Sequence, residues 1–203
     1  MVPYTCMEKI SKQNLSQLLS KFPKHISSTA REVLPFSLLE NGIPRGALTE
    51  ISGRAGGGKT EVVLRLLAEN PEIKVAWIEE NFTLYPCRMA QQKVALDRVL
   101  FVETSTEYLW VAQQVLRSQI FSVIVLVAPV PHETILRRLQ IAAERTQSTL
   151  ILLTEYSTIQ GTWPIAVQLQ VMRNGPRGEL FLTVLKYPGR GISRKISEEI
   201  ALG

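Results

Sequence analysis

The sequence predicts an α/β fold in which a mainly parallel sheet is flanked by helices. Apolar segments of strand length alternate at regular spacing with amphipathic segments of helical period. The segment from Phe121 to Ala128 is almost continuously apolar and rich in β-branched residues, as expected of a buried parallel strand. Beyond residue 155 the period changes to two over 166–172 and 179–187, around the turn Asn174-Gly175-Pro176-Arg177-Gly178, which predicts an antiparallel hairpin at the sheet edge.

Composition limits the class of protein. The chain has 203 residues, of which 45% are hydrophobic and 20% charged, as in a globular protein with a buried core. No apolar segment is long enough to span a bilayer, and no secretory signal precedes the first helix, so we expect a cytoplasmic protein without a membrane partner. Cys6 and Cys87 show no metal-ligand spacing and are expected to be free thiols. The net charge of +5 permits an anionic partner but does not indicate one.

The N-terminal segment is predicted to be separate from the main domain. Residues 7–22 have apolar side chains at helical spacing, and Pro23 ends this helix. The polar stretch that follows resembles a linker. We therefore predict an N-terminal helix and linker over 1–34 and a core domain over 35–203. Packing of the helix on its own core and docking on a partner both stay open.

The elements of the core follow in order from local signals. The helix after the glycine-rich segment must end near Pro71, and Pro86 suits the first position of the next helix. Thr104 and Glu107 have the spacing of a capping box. Strands are predicted over 47–52, 73–78, 99–102, 121–128 and 149–154, and helices from the glycine-rich segment to 70, over 86–96, over 106–117 and over 131–146, the last with Ile135, Leu136, Leu139, Ile141 and Ala142 inward.

One glycine-rich segment predicts a phosphate site. Gly53-Arg54-Ala55-Gly56-Gly57-Gly58-Lys59-Thr60 has the spacing of Gly, four residues, Gly, Lys and Thr, between a predicted strand and a predicted helix. Glycines allow backbone N–H groups to turn toward phosphates, and the helix N-terminus attracts anions. Lys59 would reach the outer phosphates, and the Thr60 hydroxyl would ligate Mg²⁺. A glycine-rich turn without a ligand is the alternative interpretation.

The sequence does not clearly identify the acidic residues that hydrolysis requires. Phosphoryl transfer to water needs an acid near Mg²⁺ and a carboxylate that orients the water. The apolar strand over 123–128, expected beside the loop, ends without Asp or Glu. The other strand expected beside the loop ends in Glu79 and Glu80, which are weak catalytic candidates or simply solvated charges. Glu61 follows Thr60, where its charge could favour Mg²⁺ or repel a third phosphate.

Basic residues collect in the last third of the chain. On an edge hairpin and tail they could contact nucleic-acid phosphates, or they could protect the sheet edge by charge. The residues concerned are Arg173, Arg177, Lys186, Arg190, Arg194 and Lys195.

These segments together resemble the RecA-like P-loop family. Residues from Gly42 to Thr60 look like that family's approach to its phosphate loop, and Ala76-Trp77-Ile78-Glu79 looks like its second core strand. The region from Asp97 to Glu144 and the segment Val184-Leu185-Lys186-Tyr187-Pro188-Gly189-Arg190-Gly191 are similar to the ImuA group, SOS-induced accessories of error-prone translesion synthesis. The resemblance covers about residues 35–195.

The resemblance implies a nucleotide-binding accessory protein in DNA-damage tolerance. Its ligand would be ATP or ADP, and its partners RecA and an ImuB-like protein related to Y-family polymerases. The family's catalytic Glu position matches Asn81, its Walker B Asp position matches Val127, and its adenine-stacking Tyr position matches Arg88, whose guanidinium plane could also stack. We therefore expect a retained phosphate cradle without efficient turnover. An active DNA-dependent ATPase that uses Glu79 or Glu80, and a structural pseudo-ATPase that binds no nucleotide, remain alternatives.

Overall fold

A computed structural model describes residues 15, 17, 19, 33–81, 83–158, 164–174, 179–188 and 194–196. Asn174 and residues 194–196 are described by their backbone. Within these residues, no helix has both the length and the apolar character needed to cross a membrane. The predicted helix over 7–22 falls mostly outside this range, but its residues 15, 17 and 19 are helical.

The centre of the fold is one large sheet. A separate antiparallel pair, β1 and β2, precedes it. The strands are β1 (Val33–Leu34), β2 (Ile43–Pro44), β3 (Leu48–Ser52), β4 (Val75–Glu79), β5 (Val99–Glu103), β6 (Val123–Val127), β7 (Thr149–Thr154), β8 (Ile165–Asn174), β9 (Glu179–Lys186) and β10 (Arg194–Ile196). The order across the large sheet is β10-β9-β8-β3-β7-β6-β4-β5.

The predicted fold class is confirmed. The pairs from β5 through β8 are all parallel, and β8–β9 is the predicted antiparallel hairpin, with Arg173 opposite Leu180. The short strand β10 pairs with β9 and extends the sheet beyond the hairpin. Because the core strands are buried on both faces, they have continuous apolar sequences instead of alternating ones.

In the part of the chain with described helix bounds, four helices cover the sheet, and one of them is shorter than predicted. They are α1 (Lys59–Glu69), α2 (Pro86–Gln91), α3 (Tyr108–Ser118) and α4 (Glu133–Thr146). The prediction that α2 continues to Leu96 was wrong. The chain turns at Lys93, whose φ is +60°, and residues 96–98 form a short 3₁₀ helix instead. No glycine or proline marks this turn, so the sequence carries no strong stop signal there.

Two apolar clusters lie on the two faces of the sheet. The first packs α1 and α2 against side chains such as Trp77 and Val125, and the second packs α3 and α4 against Leu126. Leu15 is 1% exposed and lies in the second cluster, so this part of the N-terminal segment packs on the core. The division of the chain at residue 34 stays a prediction. Ile141, which we expected to face inward, is 48% exposed.

A buried arginine holds the C-terminal end of α1, the helix that follows the phosphate loop. The Arg98 guanidinium donates to the carbonyls of Leu67, Asn70 and Ile73 at 2.7–3.1 Å. These contacts satisfy carbonyls at the helix C-terminus, where a cation is also favoured by the helix dipole. Burial lowers the pKa of Arg98 from its ordinary value.

Candidate phosphate-binding site

The glycine-rich segment forms a loop between β3 and α1, as its sequence predicts. The N–H of Gly53 donates to the carbonyl of Thr154 at 3.1 Å, which ties the start of the loop to β7. The N–H of Gly57 donates to the carbonyl of Arg54 at 3.0 Å and closes a turn within the loop. Residues 54–56 are exposed, and the N-terminus of α1 begins at Lys59. The loop thus presents backbone and a helix N-terminus to solvent, where a phosphate group can be bound.

Two glycines of the loop are required by its packing on the β8–β9 hairpin. A Cβ on Gly53 would collide with the carbonyl oxygen of Val171 on β8. A Cβ on Gly58 would lie 2.5 Å from Cδ1 of Leu180 on β9. Gly58 also has a φ of +97°, which side chains other than glycine rarely adopt. The hairpin therefore supports the loop from behind and fixes its shape.

Lys59 lies folded over the loop. Its Nζ donates to the carbonyl of Gly53, and to the carbonyl of Arg54 at 3.2 Å. Burial lowers the pKa of Lys59, and the carboxylate of Glu155 opposes this shift by raising the pKa. The ammonium is therefore held at the loop by carbonyl acceptors and by a nearby negative charge, where an anionic ligand would compete for it.

Two residues predicted to contact nucleotide are paired with each other. The Arg88 guanidinium of α2 donates to Oε1 of Glu61 at 3.0 Å, and Gln92 donates to the same oxygen at 2.8 Å. Arg88 also donates to Gln91 at 3.4 Å. Glu61 lies in the first turn of α1, so this network joins α2 to the helix that follows the phosphate loop.

The structure assigns Glu79 to the support of a loop. Glu79 is 2% exposed, and its carboxylate accepts hydrogen bonds from the N–H and hydroxyl of Thr83 and from the N–H of Leu84, at 2.9–3.2 Å. Its neighbour Glu80 is exposed. Three donors thus hold the Glu79 carboxylate in the turn after β4. A catalytic role for Glu79 or Glu80 stays a prediction.

The strands beside the phosphate loop are not those we expected. We placed the strands over 73–78 and 123–128 next to β3, but its neighbours are β7 and β8. The strand that contains Val127 is separated from β3 by β7. Glu155 follows β7 directly, and sequence reasoning missed this acid because strand order depends on contacts between distant segments. The available signal was that Glu155 follows an apolar strand, a property it shares with Glu80.

A buried carboxylate lies in the strand that leads to the phosphate loop. Glu50 on β3 is 0% exposed and accepts four hydrogen bonds at 2.8–3.2 Å. The donors are the Thr154 hydroxyl, the N–H and hydroxyl of Thr158, and the amide of Gln168 on β8. Gln168 also donates to the Thr158 hydroxyl at 2.7 Å. Glu50 therefore fastens the segment after β7 to the strand beneath the phosphate loop.

The predicted basic patch is divided between two ends of the hairpin. Arg173 is exposed near the turn, whereas Lys186 pairs with Gln168 at the far end of β8. Gln168 and Arg173 are five positions apart along β8, or roughly 17 Å. Arg177 and Arg190 lie outside the described residues, and Arg194 and Lys195 are placed in β10 by their backbone. The structure does not bring Arg173 and Lys186 together.

Exposed aromatic side chains were not anticipated at this end of the sheet. Tyr85 and Tyr156 follow the carboxyl ends of β4 and β7 and are 68% and 74% exposed. Aromatic surfaces of this kind can stack on nucleic-acid bases.

The Mg²⁺ prediction depends on Thr60 and on phosphate oxygens. Thr60 is half-buried in the first turn of α1. Over the described ranges, no group of three or more His, Cys, Asp or Glu side chains could hold a metal by itself. The loop fits an anionic ligand that would bring Mg²⁺ with it, since Mg²⁺ is commonly bound by few protein ligands together with phosphates.

Comparison with known proteins finds sequence similarity to RecA over part of the chain. No protein-family model matches it. It is 28% identical over 121 residues to Protein RecA of Symbiobacterium thermophilum, which covers 58% of this chain and 35% of that protein. It is 29% identical over 137 residues to Protein RecA of Caldanaerobacter subterraneus subsp. tengcongensis, covering 59% and 40%. The chain thus spans well under half the length of these curated relatives.

The fold matches a solved recombinase. The crystal structure of the RadB recombinase superposes with a TM-score of 0.64, over 78% of this chain and 89% of that chain. The two sequences are 19% identical, so this likeness establishes the fold.

Proposed function

We propose that this RecA-like chain is a nucleotide-binding accessory protein of SOS DNA-damage tolerance and translesion synthesis, with a degenerate ATPase site. One observation carries the proposal. The phosphate loop is formed, but the acidic residues that ATP hydrolysis needs are either absent or held by hydrogen bonds. Lys59 lies against the loop, and by the resemblance Val127 and Asn81 occupy the positions where RecA-like ATPases have acids. Glu79 accepts hydrogen bonds from three donors.

The ligand would be held by groups that the loop already presents. The ammonium of Lys59 and the backbone N–H groups from Arg54 to Thr60 suit the phosphates of ATP or ADP, except the N–H of Gly57, which donates to the carbonyl of Arg54. The hydroxyl of Thr60 suits Mg²⁺, which would neutralise phosphate charge. Arg88 suits stacking on a base only after its contact with Glu61 is rearranged.

Nucleotide-dependent thermal stability tests this function. A ligand that binds only the folded state stabilises it by about 2.7 kcal/mol at a hundred times its Kd. We expect ADP or ATP with Mg²⁺ to raise the Tm of the wild type but not of Lys59→Ala. Arg137→Ala, which changes a cation on the remote helix α4, should keep the full shift. No shift in the wild type would support the alternative of a structural pseudo-ATPase.

A second candidate, an active DNA-dependent ATPase, has one observation in its favour. Glu155 lies close enough to Lys59 to raise its pKa, and it follows a strand that directly flanks β3. It could replace an acid of the ordinary site. This candidate requires steady-state ATP turnover that both Lys59→Ala and Glu155→Gln abolish. Nucleotide binding without ATP turnover would exclude this candidate and support the accessory function.

The action through partners rests on the resemblance to the ImuA group. We propose RecA and an ImuB-like relative of Y-family polymerases as partners, with the N-terminal segment as one contact. Co-purification of the full chain with each protein, compared with a chain lacking residues 1–14, tests this. Direct DNA contact would involve Tyr156 and Arg173, which are both exposed.

A further inference from the structure

A groove of about 540 Å³ lies between the C-terminal halves of α3 and α4. Its charged lining consists of Arg117 from α3 and of Arg138 and Arg145 from α4, and Ile141 and Ala142 form its apolar part. The helices run antiparallel to the strands they connect, so their C-terminal halves lie at the amino ends of the strands. The groove is therefore at the opposite end of the sheet from the phosphate loop.

The three arginines of this groove are uncompensated. Among the described residues, the side chains of Arg117, Arg138 and Arg145 make no hydrogen bond or ion pair with another group. By contrast, the neighbouring Arg137 pairs with Glu133 at 2.7 Å. Of the described residues that line the groove, none is acidic. Like charges gathered in one concavity repel each other, and a bound anion would remove this repulsion.

Helix stability accounts for only part of this arrangement. Arg117 and Arg145 lie in the last turns of their helices, where the helix dipole favours a cation. Arg138 lies about two turns before the end of α4, where that benefit has faded. Its position in the groove is therefore unexplained by the helix dipole.

An exposed aliphatic side chain lies among these charges. Ile141 is exposed in the groove, although Leu136 and Leu139 of α4 are buried in the core and Ile135 is half-buried. A single exposed isoleucine is ordinary, but one beside three unpaired guanidinium groups provides both apolar and anionic recognition. A ligand with both kinds of group fits this lining.

We infer that the groove binds a peptide segment of a partner protein in which carboxylates flank one aliphatic side chain. Guanidinium groups bind carboxylates in a bidentate manner, and Ile141 and Ala142 would contact the aliphatic side chain. Single-stranded nucleic acid is less well suited, because sites for it combine basic grooves with aromatic stacking surfaces. The described residues that line this groove include no aromatic side chain. The inference does not depend on nucleotide binding.

Fluorescence anisotropy with the full chain tests the inference. The probe is a labelled peptide of sequence Glu-Glu-Leu-Glu-Glu, and the control peptides are Gln-Gln-Leu-Gln-Gln and Glu-Glu-Ser-Glu-Glu. We expect the probe to bind more tightly than either control, with an affinity that falls as salt rises. The double variant Arg138→Gln/Arg145→Gln, and separately Ile141→Ser, should each weaken binding by about tenfold or more.

The matched control is Arg137→Gln, which removes a cation from the same helix outside the groove and should leave peptide affinity unchanged. All the substituted side chains are exposed, so melting curves should show folded variants. Absence of binding, or binding unaffected by the groove variants, would overturn the inference. Tighter binding of a short oligothymidylate through the same arginines would also overturn it and assign the groove to nucleic acid.

Discussion

The Arg88 guanidinium and the Glu61 carboxylate form an ion pair at 3.0 Å, in the first turn of the helix that follows the phosphate loop. The pair is partly buried, and Gln92 shares the same carboxylate oxygen. It links α2 to the first turn of α1, so Arg88 is unavailable for a nucleotide base while Glu61 holds it. The negative charge of Glu61 is in turn reduced by Arg88, which lessens its repulsion of phosphates.

Glu61→Gln should tighten nucleotide binding. The substitution removes a negative charge from the helix N-terminus beside the loop and releases Arg88, and both effects favour an anionic ligand. Isothermal titration with ADP should show an affinity higher by several-fold, about 1 kcal/mol or less. Glu133→Gln, which breaks a similar pair on α4, should leave the affinity unchanged. Weaker binding by Glu61→Gln would instead assign this carboxylate to Mg²⁺.

Gly58→Ala should destabilise the protein by about 1–3 kcal/mol. The added Cβ would meet Leu180, and alanine is strained at a φ of +97°. Urea unfolding of Gly58→Ala, Leu180→Ala and the double variant separates the two causes. If the clash with Leu180 contributes, the double variant will lose less stability than the sum of the single variants. Full additivity would leave backbone strain as the sole cause.

Glu79→Ala should loosen the turn after β4. It removes the acceptor of two backbone N–H groups and one hydroxyl, which should cost about 1–3 kcal/mol. Hydrogen exchange should increase at Thr83 and Leu84. Glu80→Ala, on the exposed neighbour, should change stability by about 0.5 kcal/mol or less. Unchanged exchange at Thr83 in Glu79→Ala would refute the structural role.

Glu50→Ala should be the most destabilising of these changes, at about 3–5 kcal/mol. It would leave the donors of Thr154, Thr158 and Gln168 without their acceptor in a buried site. Glu50→Gln keeps the volume but presents an amide NH₂ to these donors, so it should also destabilise. Chemical denaturation gives the magnitude, and faster hydrogen exchange at Thr158 shows the release of its segment. Retained exchange protection there would contradict the fastening role.

Glu155→Gln should lower the pKa of Lys59 further. Burial already lowers this pKa, and the Glu155 carboxylate opposes the effect. Between the folded and unfolded pKa values of Lys59 the unfolded state binds more protons, so stability rises with pH across that window. The variant should extend the window to lower pH. NMR titration of ¹³Cε-labelled lysine measures the pKa, with exposed Lys93 as the internal reference. An unchanged Lys59 pKa would show that solvent screens the Glu155 charge.

Local patterns predicted the elements well because each strand and helix carries its own signal. The apolar run at 149–154 corresponds to β7 residue for residue, and the phosphate-loop spacing located the start of α1. The signals failed where the chain changes direction without glycine or proline. Lys93 adopts a positive φ, but the residues around it carry no turn signal, so α2 was predicted too long.

The arrangement of the site was harder to predict, since strand order is a property of the whole sheet. Because β7 lies between β3 and β6, Val127 is one strand further from the loop than we expected, and Glu155, at the end of β7, is near Lys59. Likewise, helical period alone placed Ile141 inward, although the gap between α3 and α4 leaves it exposed. Hydrophobic period identifies a face, but neighbouring helices decide how much of that face is covered.

The close contact between the loop glycines and the hairpin has an evolutionary consequence. Val171 and Leu180 exclude a side chain at Gly53 and Gly58 whether or not a nucleotide is present. A lineage that no longer used the ligand would still lose stability on replacing these glycines. A phosphate-loop motif can therefore persist in descendants as a packing requirement after its original chemistry has gone.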